Sequence, residues 1–451
     1  MLIQFSVSNF LSFDSLQKFS MRAGKFRSFS DRVAVGSKNK LLKFMSIYGA
    51  NASGKSNLIS AFGFFQDSVL GNLDSSSYPF YCKLSEENKT KESLFEIVIE
   101  IDGKTFVYGF NIILNSASFT KEWLYEELKN GSKQYVFERN IIDGIIKLGS
   151  YIKSAPLLDR MQIYGEDIRT DDSILFLRLM NQNKDSLYND SSKIIVFKNI
   201  YDWIRFKLSV NTPENPITNY SWLIDSNNLD RIANKMQAFA TGIDEVSVIN
   251  VSPEKVMASF PKDMIKRVQQ MLSEQKSNNS SFDKNGFNKA VLIRTPYNSM
   301  FLITINDNGE FSYKTFEFSH QNSSAKFSLD EESDGTVRLL DIIEVLLNDT
   351  NDKVYIIDEI NRMFHPLLTR RFITEFLELA KERNIQLIVT THESQLMDLK
   401  LLRKDEINFI NKSESGQSSI ESLDKYDDRF DKKIINEYFM GKYGAIPFPI
   451  K

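Results

Sequence analysis

The sequence predicts an α/β fold: a mixed sheet with flanking helices and an antiparallel β lobe, interrupted by a mostly helical insert. Three observations carry this. A glycine-rich loop, Gly49-Ala50-Asn51-Ala52-Ser53-Gly54-Lys55-Ser56, sits between an apolar strand (FMSIY) and a helical run (NLISAFGFFQ). Two apolar strands late in the chain, KVYIID and IQLIVT, alternate with helical segments, the pattern of a parallel sheet covered on both faces. Between these ends, from about 150 to 285, apolar residues recur at helical spacing.

The elements follow in order. Residues 1–50 read as strand, loop, strand, and 57–70 as a helix. Residues 94–115 alternate strongly, with Asp102-Gly103 at the turn, which predicts a β-hairpin. The segments around 121–127 and 134–148 continue the strand pattern, so 1–149 forms an N-terminal lobe. In 150–285 the helical runs (ILFLRLMNQ, IIVFKNIYDWIRFKL, NLDRIANKMQAFA, MIKRVQQMLSEQ) are punctuated by turn residues such as NTPENP. No heptad pattern lasts beyond about two repeats, which excludes a long coiled-coil arm. QKSNNSSFDKNGFN reads as a polar loop. From 286 to 451 a C-terminal lobe opens with strands and an Asn308-Gly309 hairpin turn. Helix TVRLLDIIEVLL, a buried strand, helix PLLTRRFITEFLELAKER and a second buried strand follow. There is no internal repeat.

Composition bounds the function. The chain has 451 residues and is 42% hydrophobic, which is ample for a large core and for two or three domains. Its single cysteine, Cys82, excludes a disulfide framework and a cysteine metal site, and reads as a small buried hydrophobe. The opening MLIQFSVSNF alternates like a strand and has none of the marks of a secretory signal. No apolar run approaches the ~18–20 residues that span a bilayer. A cytoplasmic protein with no membrane partner is expected. A net charge of −3 argues against charge-driven coating of nucleic acid. The Lys- and Arg-rich stretch from Lys18 to Lys43 reads as a solvated loop.

The loop fits G-x-x-x-x-G-K-[ST], in which glycines let backbone N–H groups turn toward phosphate oxygens. Gly49, Asn51, Ala52, Ser53, Gly54, Lys55, Ser56 and Asn57 are the candidate ATP-binding residues. Lys55 would reach the β and γ phosphates, Ser56 would bind Mg2+, and the helix that follows would add its positive dipole end. Asp358, at the end of KVYIID, is the second Mg2+ candidate, and Glu359 the candidate that polarises the attacking water. His392, at the end of LIVTTH, would sense the γ-phosphate or orient the water, whereas His320 reads as structural. Ser333 and Gly335, in ESDGT before a helix, form a further anion-site candidate. Read alone, Ser333 is a plain helix cap.

This order of phosphate loop, Ser-x-Gly, Asp-Glu strand and strand-end His resembles ABC-type ATPase heads, the class of SMC and RecF proteins. Gly335 to Asp358 and Asp358 to His392 are suitably spaced, and Asn9-Phe10 with Ser12-Phe13 falls on the N-F-x-S-F pattern of their first strand. The resemblance implies that Ser333 and Gly335 close on ATP held by another subunit, making a homo-oligomer, a dimer of heads or a larger ring. The element here is ESDGT and departs from the LSGGQ of transporters. The stretches Leu402–Phe409 and Tyr438–Pro447, together with Asp358–Asn361 and His365-Pro366, resemble a narrower group. This group is the ABC/SMC-like ATPases of anti-phage and abortive-infection operons, of the AbiLi, RloA and PARIS ATPase-subunit types. The resemblance covers about 1–125 and 325–451, and the tail YFMGKYGAIPFP reads equally as a docked structural segment or as a partner or oligomer contact.

Four functions are weighed. A defence ATPase would control a separately encoded effector, which the resemblance makes a Toprim-type nuclease, in response to a phage protein trigger. A fused-nuclease reading is disfavoured, since the 59 residues after His392 are too few for a Toprim domain. A RecF-like DNA-repair ATPase is the alternative, disfavoured by the negative charge. A non-hydrolysing ATP-gated scaffold is disfavoured by the presence of Glu359. The helical insert is expected to recognise the partner or the trigger.

Overall fold

The computed structural model describes residues 1–451 except 27, 37–39, 74–78, 189–192, 213–225, 278–289, 296–297, 307, 427–433 and 445–451. It divides into two compact units. The first holds Met1–Pro213, Thr350–Asn361 and Thr369–Lys451, and the second Glu214–Asp349 and Arg362–Leu368.

The first unit is built on two sheets. A six-stranded sheet runs in the order Leu208–Asn211, Val354–Ile357, Gln386–Thr390, Phe44–Tyr48, Ile407–Lys412, Ser418–Ser422. All its pairs are parallel except the last. Phe44–Tyr48, Val354–Ile357 and Gln386–Thr390 are short and buried at every position, as cover on both faces requires. A seven-stranded antiparallel sheet contains Leu2–Ser8, Gln17–Ser20 and the predicted hairpin Ser93–Ile101 with Lys104–Ile113. Three further strands, Ser118–Glu127, Lys133–Asn140 and Ile145–Leu148, complete it.

Helix Lys55–Leu70 lies between the sheets. Leu58, Phe62, Phe65 and Val69 recur at three- and four-residue spacing, and Ile59, Ala61 and Phe64 bury the remaining faces. Phe62 stacks on Phe5 at 4.0 Å, Phe65 on Phe110 at 5.7 Å, and Phe64 meets Phe95 at 4.9 Å. Met45, Ile47, Val354, Ile356 and Ile388 of the parallel sheet belong to the same core. Each such phenylalanine contributes about 1.5–3 kcal/mol by burial, so the helix that opens at the glycine loop is held on both sides.

Residues 150–208, read from sequence as the start of an insert, pack on this first unit. Glu122, fully buried, accepts from Phe176 N at 2.6 Å, Leu177 N at 2.9 Å and the Tyr108 hydroxyl at 3.0 Å. Arg139 lies 3.8 Å from Glu122 and donates to the carbonyls of Ile168, Asp171 and Ile174. A buried ion pair of this kind is retained only when backbone partners complete it, and here those partners belong to the helical segment. Phe137 then stacks on Phe197, and Phe176 meets both rings edge-on.

The second unit has a five-stranded antiparallel sheet (Ile243–Asn250, Phe311–His320, Met300–Ile305, Ala290–Arg294, with Lys326–Phe327 beside Phe311–His320). Helices Ser226–Ala238, Pro253–Ser259, Lys262–Ser277 and Asp334–Ile342 accompany it. Two strands, Leu208–Asn211 and Ile243–Asn250, therefore fall inside the stretch read as mostly helical. Strands this short, set between helical runs, leave little periodic signal.

The Lys18–Lys43 stretch is not a solvated loop throughout. It contains three strands, and Arg32 and Lys43 are buried, donating to the carbonyls of Leu401 at 2.9 Å and Ala380 at 2.5 Å. These cations are spent on carbonyls at element ends, which a charge count along the sequence does not reveal. Cys82 is fully buried, and burial raises its thiol pKa.

Candidate functional site

The phosphate-loop strand Phe44–Tyr48 is central in the parallel sheet, between Gln386–Thr390 and Ile407–Lys412. Parallel strands end on one edge, so residues 49, 358 and 391 emerge side by side, where α/β sheets place ligands.

The loop turns through Ala52 (φ 61°) and Gly54 (φ 111°). A side chain at Gly54 would come within 2.5 Å of Ser418 Oγ and 2.7 Å of Ser12 Oγ, and one at Gly49 within 2.7 Å of the Ile410 carbonyl. Asn51, Ala52 and Ser56 are exposed, while Ser53, Gly54 and Lys55 are buried. Lys55 Nζ donates to the carbonyls of Gly49 at 2.8 Å and Ala50 at 3.0 Å. Burial lowers its pKa to about 8, against the opposing pull of Asp358 and Glu359. Ser53 Oγ is buried without a partner, which suits a loop shaped for an acceptor-rich ligand.

A buttress that sequence reasoning did not assemble supports the loop. Ser418 Oγ donates to the Ser53 carbonyl at 2.6 Å and lies 2.7 Å from Ser12 Oγ, which also accepts from Asn57 Nδ2 at 2.7 Å. Ser12 sits in a tight turn made by Asn9 (φ 50°) and Leu11 (φ 49°). Asn9 bonds Asn88 O at 2.9 Å and Cys82 N at 3.1 Å, and Phe10 and Phe13 are fully buried. The N-F-x-S-F pattern thus positions one serine under the phosphate loop. Its partner Ser418 carries no motif at all.

Strand Val354–Ile357 ends at Asp358, which is buried and whose N–H bonds Asn211 O at 2.9 Å. Thr390 Oγ1 donates to Asp358 Oδ1 and accepts from Glu359 N at 2.8 Å. Ile360 N bonds Thr390 O at 3.1 Å. Glu359 is held at φ 50°, a region non-glycine residues rarely occupy and which costs of order 1–3 kcal/mol. One threonine on the neighbouring strand therefore holds the Asp358 carboxylate and the Glu359 backbone.

His392 follows Thr391, and Asn361 Oδ1 accepts from Thr391 Oγ1 at 3.0 Å and from His392 N at 3.3 Å. The His392 pKa is lowered, first by burial and then by Lys55, while Glu359 and Asp358 pull it upward. The same charges act on Lys55 and His392, so four predicted residues share one electrostatic site. Among the described residues no group of three or more His, Cys, Asp or Glu is disposed to hold a metal by itself. Ser56 and Asp358 are the side chains available for a cation shared with phosphate.

Ser333 and Gly335 lie in the second unit. Ser333 caps helix Asp334–Ile342, accepting from Thr336 N at 3.1 Å. A side chain at Gly335 would approach the Met363 carbonyl at 3.1 Å. His320 lies 2.7 Å from Glu332 and edge-on to Phe327. In the tail, Tyr443 stacks on Phe409 at 5.0 Å and Tyr438 on Phe409 at 5.9 Å, so the described part is docked on the phosphate-loop sheet. Phe439 and Met440 remain exposed, and Ala445 onward lies outside the described residues. The Arg403–Glu406 stretch is a buried ion cluster in which Arg403 holds Asp405 at 2.7 and 2.8 Å. No helix of the described residues is long and apolar enough to cross a membrane.

No curated protein matches the chain. Among solved structures, similar folds include an SMC head bound to the C-terminal winged-helix domain of ScpA, at 14% identity and TM-score 0.43 over 93% of this chain and 97% of that one. An SMC head domain from Thermotoga maritima aligns at 12% identity and TM-score 0.34 over 93% and 98%. An SMC head with extended coiled coil, bound to the C-terminal domain of ScpA from Pyrococcus furiosus, aligns at 14% and 0.42 over 97% and 99%. A family model described as "AAA domain, putative AbiEii toxin, Type IV TA system" matches residues 44–154 and 190–398, which contain the phosphate loop, the Asp-Glu strand and His392. The chain belongs to this AAA-domain, AbiEii-type family.

Proposed function

We propose that the chain is an ABC/SMC-type ATPase subunit of a bacterial anti-phage defence system. It binds and hydrolyses ATP, and ATP-bridged assembly of its heads holds, senses for or activates a separately encoded effector. The observation that carries the ATPase reading is the convergence of Lys55, Asp358, Glu359 and His392 on one sheet edge, with Lys55 and His392 both responding to the two acidic residues. The family's description as a toxin–antitoxin component supports the defence reading.

The site suits a triphosphate. Gly49 and Gly54 leave space where side chains would clash, Ser53 Oγ is free to donate, and Lys55 can exchange its two carbonyl partners for phosphate oxygens. Mg2+, held by Ser56 and Asp358, would offset phosphate charge. Glu359, whose backbone N–H is held by Thr390, would accept a proton from the attacking water. His392, less basic than a free imidazole, stays neutral near pH 7 and can donate or accept one hydrogen bond toward the reacting phosphate. Ser333 and Gly335 act in trans on the ATP of a neighbouring subunit. The effector is a protein, with a Toprim-type nuclease the expected class, and a phage protein is the expected trigger.

The test is co-purification of the tagged chain expressed with its native neighbouring genes, wild type against Glu359→Gln. A stoichiometric protein whose retention depends on Glu359 supports the reading, whereas recovery of DNA without a protein partner moves it to a RecF-like repair ATPase. Ser333→Arg should leave ATP binding intact while stopping assembly and turnover. Normal turnover in that variant would refute the trans site.

A further inference from the structure

The first unit carries two cavities that share a wall. One, of about 480 Å3, is lined by Glu100, Asp102, Asp202 and Asp352 together with Lys207 and the Met1 amino group, which interacts with Asp352 and Glu100. Asp202 is paired with Lys198 at 3.7 Å, so Glu100, Asp102 and Asp352 supply most of its negative charge. The other, of about 510 Å3, is lined by Arg22, Lys25, Lys40 and Arg403, and none of its lining residues is acidic. Arg403 is already neutralised by Asp405, so Arg22, Lys25 and Lys40 supply its free charge. Val35 lines both cavities and is 84% exposed. Phe206, in the acidic cavity, is 53% exposed. An acidic hollow and a basic hollow thus flank an apolar ridge.

Backbone bonds position several of these residues. Val35 pairs with Lys40 across the Val33–Val35 and Lys40–Leu42 ribbon, and Ala23 N bonds Lys40 O at 2.8 Å. Asp102 occupies the hairpin turn at φ 49°, and Asp352, at φ 63°, bonds Asn384 O through its N–H at 2.7 Å. Lys25, Lys40, Asp102 and Asp352 are all exposed, and Asp352 acts on the neighbouring Met1 amino group.

We infer that this face binds a second copy of the chain through a two-fold axis along the Val35 ridge, separate from the ATP-bridged contact. A two-fold axis in the interface plane maps each side of the ridge onto the opposite side of the partner. The acidic hollow of each copy then meets the basic hollow of the other, twice, and the exposed Val35 side chains are covered at the centre. Exposed charges of one sign beside the opposite sign, around an exposed apolar residue, match a self-complementary surface. A nucleic acid would use the basic hollow alone and would be repelled by its acidic neighbour.

The experiment measures self-association of the full chain by sedimentation velocity, without nucleotide, so that ATP-bridged assembly does not contribute. The variants are Lys25→Glu with Lys40→Glu, and Asp102→Lys with Asp352→Lys. Each should weaken self-association about tenfold or more, because like charges then face one another. An equal mixture of the two should restore it, since both charge contacts become attractive in the mixed dimer. Unchanged far-ultraviolet circular dichroism and unfolding midpoint verify that each variant is folded. A monomeric wild type, unchanged association in either variant, or failure of the mixture to recover would overturn the proposal. Loss of DNA retention in Lys25→Glu/Lys40→Glu with association unchanged would overturn it and assign the basic hollow to nucleic acid.

Discussion

Lys55 should make ATP affinity fall with pH. Its ammonium is buried against two carbonyls, and burial brings its pKa from 10.5 to about 8, a cost of about 3 kcal/mol. A bound triphosphate requires the charged form and restores it. Affinity is therefore flat up to pH 7 and lost as pH rises through 8. About nine-tenths of free molecules carry the charge at pH 7 and about one-tenth at pH 9, so Kd should rise roughly tenfold between them. ATP itself keeps a constant charge over this range. The assay is isothermal titration at pH 7, 8 and 9 with Mg2+ in excess. A second readout has its own sign. Because the folded pKa lies below the unfolded one, the burial penalty is complete below pH 8 and relieved between 8 and 10.5. Without nucleotide, wild-type stability relative to Lys55→Met should rise by about 1 kcal/mol from pH 7 to pH 9. A Kd that does not change between pH 7 and 9 would refute the account of a desolvated lysine recharged by phosphate.

Thr390→Val removes the hydroxyl that serves both Asp358 and Glu359, at about 1–3 kcal/mol of local stability; turnover should fall at least tenfold with ATP binding little changed, and equal turnover would show that Glu359 needs no brace. Gly54→Ala places a Cβ against Ser418 and Ser12 at a φ of 111°, and should weaken ATP binding at least tenfold, as read by equilibrium fluorescence. Tyr443→Ala removes a ring stacked on Phe409 and should lower stability by about 3–5 kcal/mol in denaturant titration, whereas an unchanged midpoint would mean the tail is not docked in solution.

The glycine-rich loop, the Asp358-Glu359 strand end and the strand-end His392 could be singled out from sequence as candidates because each is local: a motif between a strand and a helix, or a short apolar run ending in a charged residue. The alternation of buried strands and helices likewise announced the parallel sheet, since burial on both faces leaves unbroken apolar runs. What brings those pieces together was not local. Ser12 and Ser418 meet beneath the loop although 406 residues separate them, and Thr390 reaches 32 residues back to Asp358. Neither Ser418 nor Thr390 has a composition or spacing that distinguishes it from any other hydroxyl. The left-handed backbone at Glu359 and the anchoring of residues 150–208 by buried Glu122 and Arg139 are equally products of contact. The chain by itself determined which residues could bind phosphate and carry charge at strand ends. Only the tertiary structure decided which hydroxyls hold them in place, because a hydrogen bond between distant segments is specified by how strands pair, and strand order is not written in any single stretch of sequence.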